Sequence, residues 1–133
     1  MATLDVISAT IRAKVLAKHE RFEYCKHDYK LVILIQEMSY VTKDANSGEL
    51  RKGIVKADDF VHKTNLYYYD YLHGFQIMRT KFYNLTRGDI INFSIQKKGR
   101  EYEFLSLEIE DETPCYNNDL TSLVEQYGQN IDN

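Results

Sequence analysis

Two clusters of cations and aromatic rings carry the chemistry this chain can offer. The first runs from Arg21 through Phe22, Tyr24, Lys26 and Tyr29 to Lys30. The second is Lys97, Lys98, Arg100 and Tyr102. Between them in sequence lie Tyr40, Lys43, Arg51 and Lys52. Lys and Arg neutralise phosphates, and an aromatic ring accepts a stacked base at about 1–3 kcal/mol. The mixture suits a single-stranded nucleic acid. Each member also has a plainer reading: the lysines as solvated surface charges, the tyrosines as core rings with a satisfied hydroxyl.

Other chemistries find less support. His19, Cys25, His27 and Cys115 are possible zinc ligands, but only three lie near one another and no Cys-x-x-Cys pair is present. Glu108, Glu110, Asp111 and Glu112 form an acidic run that a Mg²⁺-dependent nuclease could use. Acids at the end of an exposed strand are ordinarily solvated, and no companion lysine motif accompanies them. There is no Gly-rich phosphate loop, no Gly-x-Ser-x-Gly elbow and no His-Glu-x-x-His. A Ser or Cys nucleophile with a partner His is left without support. No catalytic residue, metal or cofactor is expected.

The bulk numbers bound the class. A chain of 133 residues reads as one domain, 1–133, large enough to bury a core without metals or disulfides. Hydrophobic residues make up 44% and charged residues 28%, as in globular proteins. No apolar run approaches the roughly 18 residues of a membrane helix. Asp5, Arg12 and Lys14 interrupt any signal-peptide core. Two cysteines far apart, Cys25 and Cys115, suit a reduced intracellular protein, nuclear in a eukaryote and cytoplasmic otherwise.

Charge is unevenly spread. All 17 Lys and Arg lie at or before Arg100, accompanied by eleven acids, a net of +6. Residues 101–133 carry nine acids and no Lys or Arg, a net of −9. A basic body with an acidic end fits a nucleic-acid or protein contact, although helices and strands can also sort their charges this way for no reason of binding.

The elements that must position these residues are mostly strands. Ile91, Phe93 and Ile95 alternate with Asn92, Ser94 and Gln96, the period of a strand with one buried face. Lys98-Gly99 supplies a tight turn. In the return strand, Glu101 to Glu110, Tyr102 and Phe104 share one face, and Leu105, Leu107 and Ile109 the other. That slip of phase predicts a β-bulge or a strand buried on both faces. Upstream, residues 3–23 admit two readings: Ile7, Ala9, Ile11, Ala13, Val15 and Ala17 alternate with polar residues as in a strand, while Leu4, Ile7, Ile11 and Val15 also fit a helical stripe; a strand over Thr10 to Phe22 after a short helical turn is the one favoured. Arg21 to Lys30 reads as a connecting loop. Leu31 to Ile35 reads as a central strand buried on both faces, continuing through Met38, Tyr40 and Val41. Asp44 to Gly48 is a turn and Arg51 to Ala57 a strand.

Asp58 or Asp59 can cap a helical turn holding Phe60 and Val61. Leu66 to Tyr83 is rich in tyrosine and undecided, with a helix over Gln76 to Tyr83 before the turn at Gly88. Beyond Pro114, Asn118 or Asp119 can cap a last helix with the stripe Leu120, Leu123, Val124 and Tyr127, closed by Gly128.

The order is strand, long strand, turn, strand, helical insertion, strand, tight hairpin, strand. It resembles the five-stranded OB barrel with a helical connection between strands 3 and 4 and a C-terminal helix. The stretch Leu85 to Phe93, an apolar residue, then Arg87-Gly88-Asp89, then Ile90-Ile91-Asn92-Phe93, resembles the approach to the fourth strand in many single-stranded-DNA-binding OB domains. The closing helix, about 118–128 after a barrel of about 10–110, is similar to that of the small subunits of replication protein A and of telomere-end complexes.

The resemblance implies a non-enzymatic subunit of single-stranded DNA maintenance. A strand would bind between the strand 1–2 loop, Arg21 to Lys30, and the strand 4–5 loop, Lys97 to Arg100. Single-stranded nucleic acid, DNA in preference, would be one partner. A larger OB-fold subunit would be another, held through Leu120, Leu123, Val124 and Tyr127. The rivals are a protein-interaction β-domain without nucleic acid and, behind it, a small metal-dependent enzyme.

Overall fold

The computed structural model describes residues 4–73, 76–110, 124–125 and 127–128, and everything below concerns those. The protein is mainly β. Six strands form one antiparallel sheet: β1 (Leu4–Glu23), β2 (Lys26–Asp44), β3 (Leu50–Lys56), β4 (His62–Tyr68), β5 (Ile90–Lys98) and β6 (Glu101–Ile109). A short 3₁₀ turn (Asp70–Leu72) and α1 (Gln76–Asn84) connect β4 to β5. The order across the sheet is β3-β2-β1-β5-β6, with β4 also pairing β2.

The first hairpin dominates. β1 is longer than Thr10 to Phe22: it is already strand at Leu4, so the residues from Leu4 to Ala9 form no helical turn. The segment from Arg21 to Lys30 is not a loop. Arg21 pairs Asp28, and Glu23 pairs Lys26, so Arg21 and Phe22 belong to β1, and Lys26, Tyr29 and Lys30 to β2. Only Tyr24 and Cys25 turn the chain, at φ of 53° and 62°. Two consecutive positive φ values are what a two-residue hairpin turn needs to match the strand twist.

β2 alternates. Tyr29, Leu31, Ile33 and Ile35 are buried, whereas Val32 and Leu34 are half-buried, so this strand is sealed on one face and only partly covered on the other. The register slips at Gln36, since Arg12 pairs Glu37 while Ala13 pairs Ile35. The slip turns Met38 and Tyr40 to the inner side. Both pack against the core. Another bulge, at Leu105, falls in β6, where Ser94 pairs Ser106 and Ile95 pairs Phe104. It lets Phe104 and Leu107 both point inward at 3% and 1% exposure while Leu105 stands out.

β3 and β4 share the far edge of β2. β3 pairs Glu37 to Lys43, and β4 pairs Tyr29 to Ile35. Between them Asp58 to Phe60 bend without forming a helix. The closed five-stranded barrel is therefore not what the pairing gives. Among the described residues no ladder joins β3 or β4 to β6, and the sheet stays open there.

The gap is bridged by side chains. Tyr71 Oη donates to Glu101. The buried Phe104 amide donates to His73 Nε2 at 2.8 Å, and His73 Nδ1 donates to the Tyr69 carbonyl at 3.0 Å. Lys81 of α1 donates to the Leu107 carbonyl. An edge whose backbone groups are occupied in this way is poor at recruiting another strand.

The core lies on the concave side of the sheet. Ala9, Ile11, Ala13 and Val15 of β1 meet Leu31 and Ile33 of β2, Ile91, Phe93 and Ile95 of β5, and Phe82 of α1. α1 covers one end, with Lys18 reaching the carbonyls of Phe82 and Tyr83, the favourable end of a helix for a cation. Val124, Glu125 and Tyr127 are helical, and the Gly128 amide closes the turn on the Val124 carbonyl at 2.7 Å. Leu120 and Leu123 lie outside the described residues. No helix among the described residues is long and apolar enough to cross a membrane.

Candidate functional site

The region that sequence reasoning left undecided carries the aromatic surface. In β4 and just beyond it, Leu66 and Tyr68 point inward, so Tyr67, Tyr69 and Tyr71 follow one another on the outer side. The rings of Tyr67 and Tyr69 are parallel within 8°, with centroids 6.0 Å apart; Tyr69 and Tyr71 are 5.9 Å apart and tilted by 40°. Tyr67 is 44% exposed and Tyr71 59%. This ladder of three rings was legible only as a tyrosine-rich stretch until β4 gave it a period of 2.

Cations from both expected loops converge on it. Lys30 pairs Tyr67 in register, and His19 pairs Lys30, giving an outward row across three strands. A cleft of about 210 Å³ is lined by His19, Arg21, Asp28, Lys30, Tyr67 and Tyr69. On the other side, across the open edge, a cleft of about 300 Å³ is lined by Tyr67, Tyr69, Arg100, Glu101 and Tyr102. Tyr67 and Tyr69 belong to both. The ladder thus sits between the β1–β2 hairpin and the β5–β6 turn.

The acids nearby are engaged elsewhere. Glu20 contacts His27 at 2.6 Å, Asp28 accepts from the Asp70 amide, and Glu101 accepts from Tyr71. Lys30 and Arg100 make no ion pair among the described residues. Asp70 anchors the ladder from below, accepting from the His27 amide, the Tyr68 hydroxyl and Arg79. Burial works to raise its carboxyl, but these hydrogen bonds outweigh it and hold Asp70 below its ordinary value. Burial, then the hydrogen bond to Asp70, push the Tyr68 phenol up, so it stays a neutral donor.

The other expected residues divide. Tyr29 is 2% exposed, its ring against Phe82 and Tyr68, and it reaches the surface only as part of the floor of the cleft beside Lys30. Tyr40 lies half-buried over Gly53, and the half-buried Tyr102 donates to the Val6 carbonyl. Phe22 and Tyr24 are open, at 62% and 87%. Arg21 is tied to Glu23, Arg51 to Glu49, Lys97 to Asp5 and Lys98 to Glu103. Lys26, Lys43 and Lys52 are exposed and have no ion pair among the described residues. Lys43, Lys52 and Lys97 line a different surface, beyond the β5–β6 turn from Arg100.

No cluster of three or more His, Cys, Asp or Glu able to hold a metal occurs among the described residues. Glu110 is taken by Arg12, and Glu108 by Lys81. Cys115, Asp111 and Glu112 lie outside the described residues. Comparison with protein families, curated proteins and solved structures finds no match to this chain.

Proposed function

We propose that this is a non-enzymatic, OB-type module that binds single-stranded nucleic acid, DNA in preference, across β2 and β4. The observation that carries the reading is the Tyr67–Tyr69–Tyr71 ladder, with Tyr67 and Tyr71 exposed and Tyr69 half-buried between them, bracketed by Lys30 and Arg100. Parallel rings at this spacing offer faces for bases without selecting among them, because every base has a π-face. The cations beside them answer the phosphates. A duplex keeps its bases stacked inside and offers the rings nothing.

In this reading the third strand of the barrel is divided into β3 and β4. The sheet works as an OB-type platform with one open seam. The protein serves as a small subunit of replication or telomere type, in the nucleus of a eukaryote or otherwise the cytoplasm. The C-terminal helix would meet a larger OB-fold subunit: Val124 and Tyr127 are 66% and 76% exposed, so the described part of its stripe is not spent on this domain's own core.

The test is fluorescence anisotropy of the whole chain with a labelled oligothymidylate at low and physiological salt. Tyr67→Ala with Tyr69→Ala should weaken binding by at least about tenfold, at about 1–3 kcal/mol per stacked base. Arg100→Glu should lower the salt dependence. Unchanged affinity in the tyrosine variant would remove the ladder from the site.

A second reading, a protein-interaction domain without nucleic acid, draws on the exposed Ile54 and Leu105, at 60% and 54%. It gains if the whole chain binds no oligonucleotide even at low salt.

A further inference from the structure

The outer face of the sheet continues past the β5–β6 turn into a second surface of different chemistry. Ser39 of β2 pairs Thr10 of β1, Thr10 pairs Ser94 of β5, and Ser94 pairs Ser106 of β6. These outward residues alternate with the buried Ala9, Ile11, Phe93 and Ile95. Their short side chains leave an open trough of about 510 Å³. Lys52 stands at its β3 end and Leu105 at its β6 end. Through Ser8 the trough runs into a cleft of about 620 Å³ lined by Lys43, Gln96, Lys97 and Gly99. Gly99 is in the turn whose next residues, Arg100 to Tyr102, line the ladder cleft.

The two surfaces thus meet at one hairpin, and they differ in what they can hold. The ladder offers ring faces. The trough offers hydroxyls and Lys52 over a floor that includes Val41, Gly53 and Ile95, and the cleft it opens into adds Lys43; neither lysine has an ion pair among the described residues, while Lys97 is committed to Asp5. Hydroxyls and lysines contact phosphate and sugar and carry no base preference. The trough crosses β3 to β6, a span of roughly 19 Å at about 4.8 Å per strand. That is room for more than one phosphate.

We infer that this trough is the second leg of the binding site, taking the sugar–phosphate backbone of the same strand after it leaves the tyrosine ladder. The inference rests on the single-strand reading above and extends its footprint. The first leg holds bases, and the second holds the backbone with its bases turned to solvent.

The experiment compares oligothymidylates of about four and about sixteen nucleotides, the range of footprints on one such fold, against the whole chain. A third probe is the longer oligonucleotide with abasic residues through one half, prepared in both orientations. The long oligonucleotide should bind at least tenfold more tightly than the short one, and one abasic orientation should bind as tightly as the full strand. Lys43→Glu with Lys52→Glu should remove that gain, lower the log–log salt slope by about 1.4 for two phosphates, and leave the short oligonucleotide unaffected. Thr10→Asp, at an exposed position, should act in the same direction without touching a lysine.

Equal affinity for short and long strands would overturn the second leg and leave the ladder standing. So would loss of affinity in both abasic orientations, or equal weakening of both lengths by the lysine reversals. Absence of binding at either length would remove the ladder reading and this one together.

Discussion

At the scale of single residues, the protein separates rings by one step of the pleat. Tyr68 and Tyr29 are sealed in the core, while Tyr67 and Tyr69 are turned out, though all four are tyrosines in strands or just beyond one. A carboxylate shows the same dependence on place. Glu110 receives two hydrogen bonds from Arg12, at 2.7 and 2.9 Å, and one from Asn92 at 2.7 Å. The hydrogen bond from Arg12, then that from Asn92, take its carboxyl from an ordinary value of 4.5 to about 2.

A carboxylate held low stabilises the fold fully above its unfolded value, and that stabilisation fades as pH falls through the folded one. Glu110→Gln should therefore lower the melting temperature at pH 7. The gap to the parent should close as pH falls from about 5 to about 2. A gap that stays constant across that window would show that the ionised Glu110 contributes nothing to stability.

At the scale of elements, bulges and edges decide the shape. The slip at Gln36 turns Tyr40 inward, and its ring lies across Gly53 of β3; a Cβ there would approach Tyr40 Cζ to 2.4 Å. Gly53 is thus the position that lets β3 close against β2. Gly53→Val should cost about 1–3 kcal/mol in urea unfolding, the usual range for overpacking. Tyr40→Leu in the same background should recover part of the loss, since the two residues share one contact. An unchanged midpoint in Gly53→Val would mean that the Tyr40 ring moves aside freely.

The alternation around Gln36 and the bulge at Leu105 were partly visible in advance. The break in phase at Leu105 was legible, because a hydrophobic set that changes parity must either slip or be buried twice. The slip at Gln36 was hidden by the uninterrupted apolar run before it. The two-residue turn at Tyr24-Cys25 gave no signal either, since neither residue is one that favours positive φ.

At the scale of the whole molecule, charge is arranged along the chain. Residues 111–133 hold five acids and no Lys or Arg, so their removal takes the net charge from −3 to +2. Val124 and Tyr127 are exposed, and the core of the described residues spans Ala9 to Leu107. A chain ending at Glu110 should keep its unfolding midpoint within about 0.5 kcal/mol. It should also bind an oligothymidylate more tightly at low salt, an advantage that disappears near 1 M, where screening acts within about 3 Å. A large loss of stability would show that the tail belongs to the core. An advantage that survived high salt would show a contact rather than a field.

The sequence by itself determined the class of element and much of the inward pattern. Alternation over Ile91 to Ile95 and the turn at Gly99 follow from local periodicity and turn chemistry, and they stand in the structure, whereas Gln76 to Tyr83 lay in a stretch the sequence left undecided and is helical in α1. It also offered cations and rings suited to a polyanion, because charge and aromaticity are properties of side chains alone, but Tyr67, Tyr69 and Tyr71 were not among them. Which side chains meet was decided by the tertiary structure. β4 had to find the edge of β2 before Tyr67, Tyr69 and Tyr71 could share a face. The β1–β2 hairpin and the β5–β6 turn, about 70 residues apart in the chain, had to be carried to either side of it. Those pairings are long-range, set by burial of a common core rather than by any neighbour in sequence. That is why Tyr29, beside Lys30 in the chain, lies inside, while Tyr67, 37 positions beyond Lys30, lies next to it.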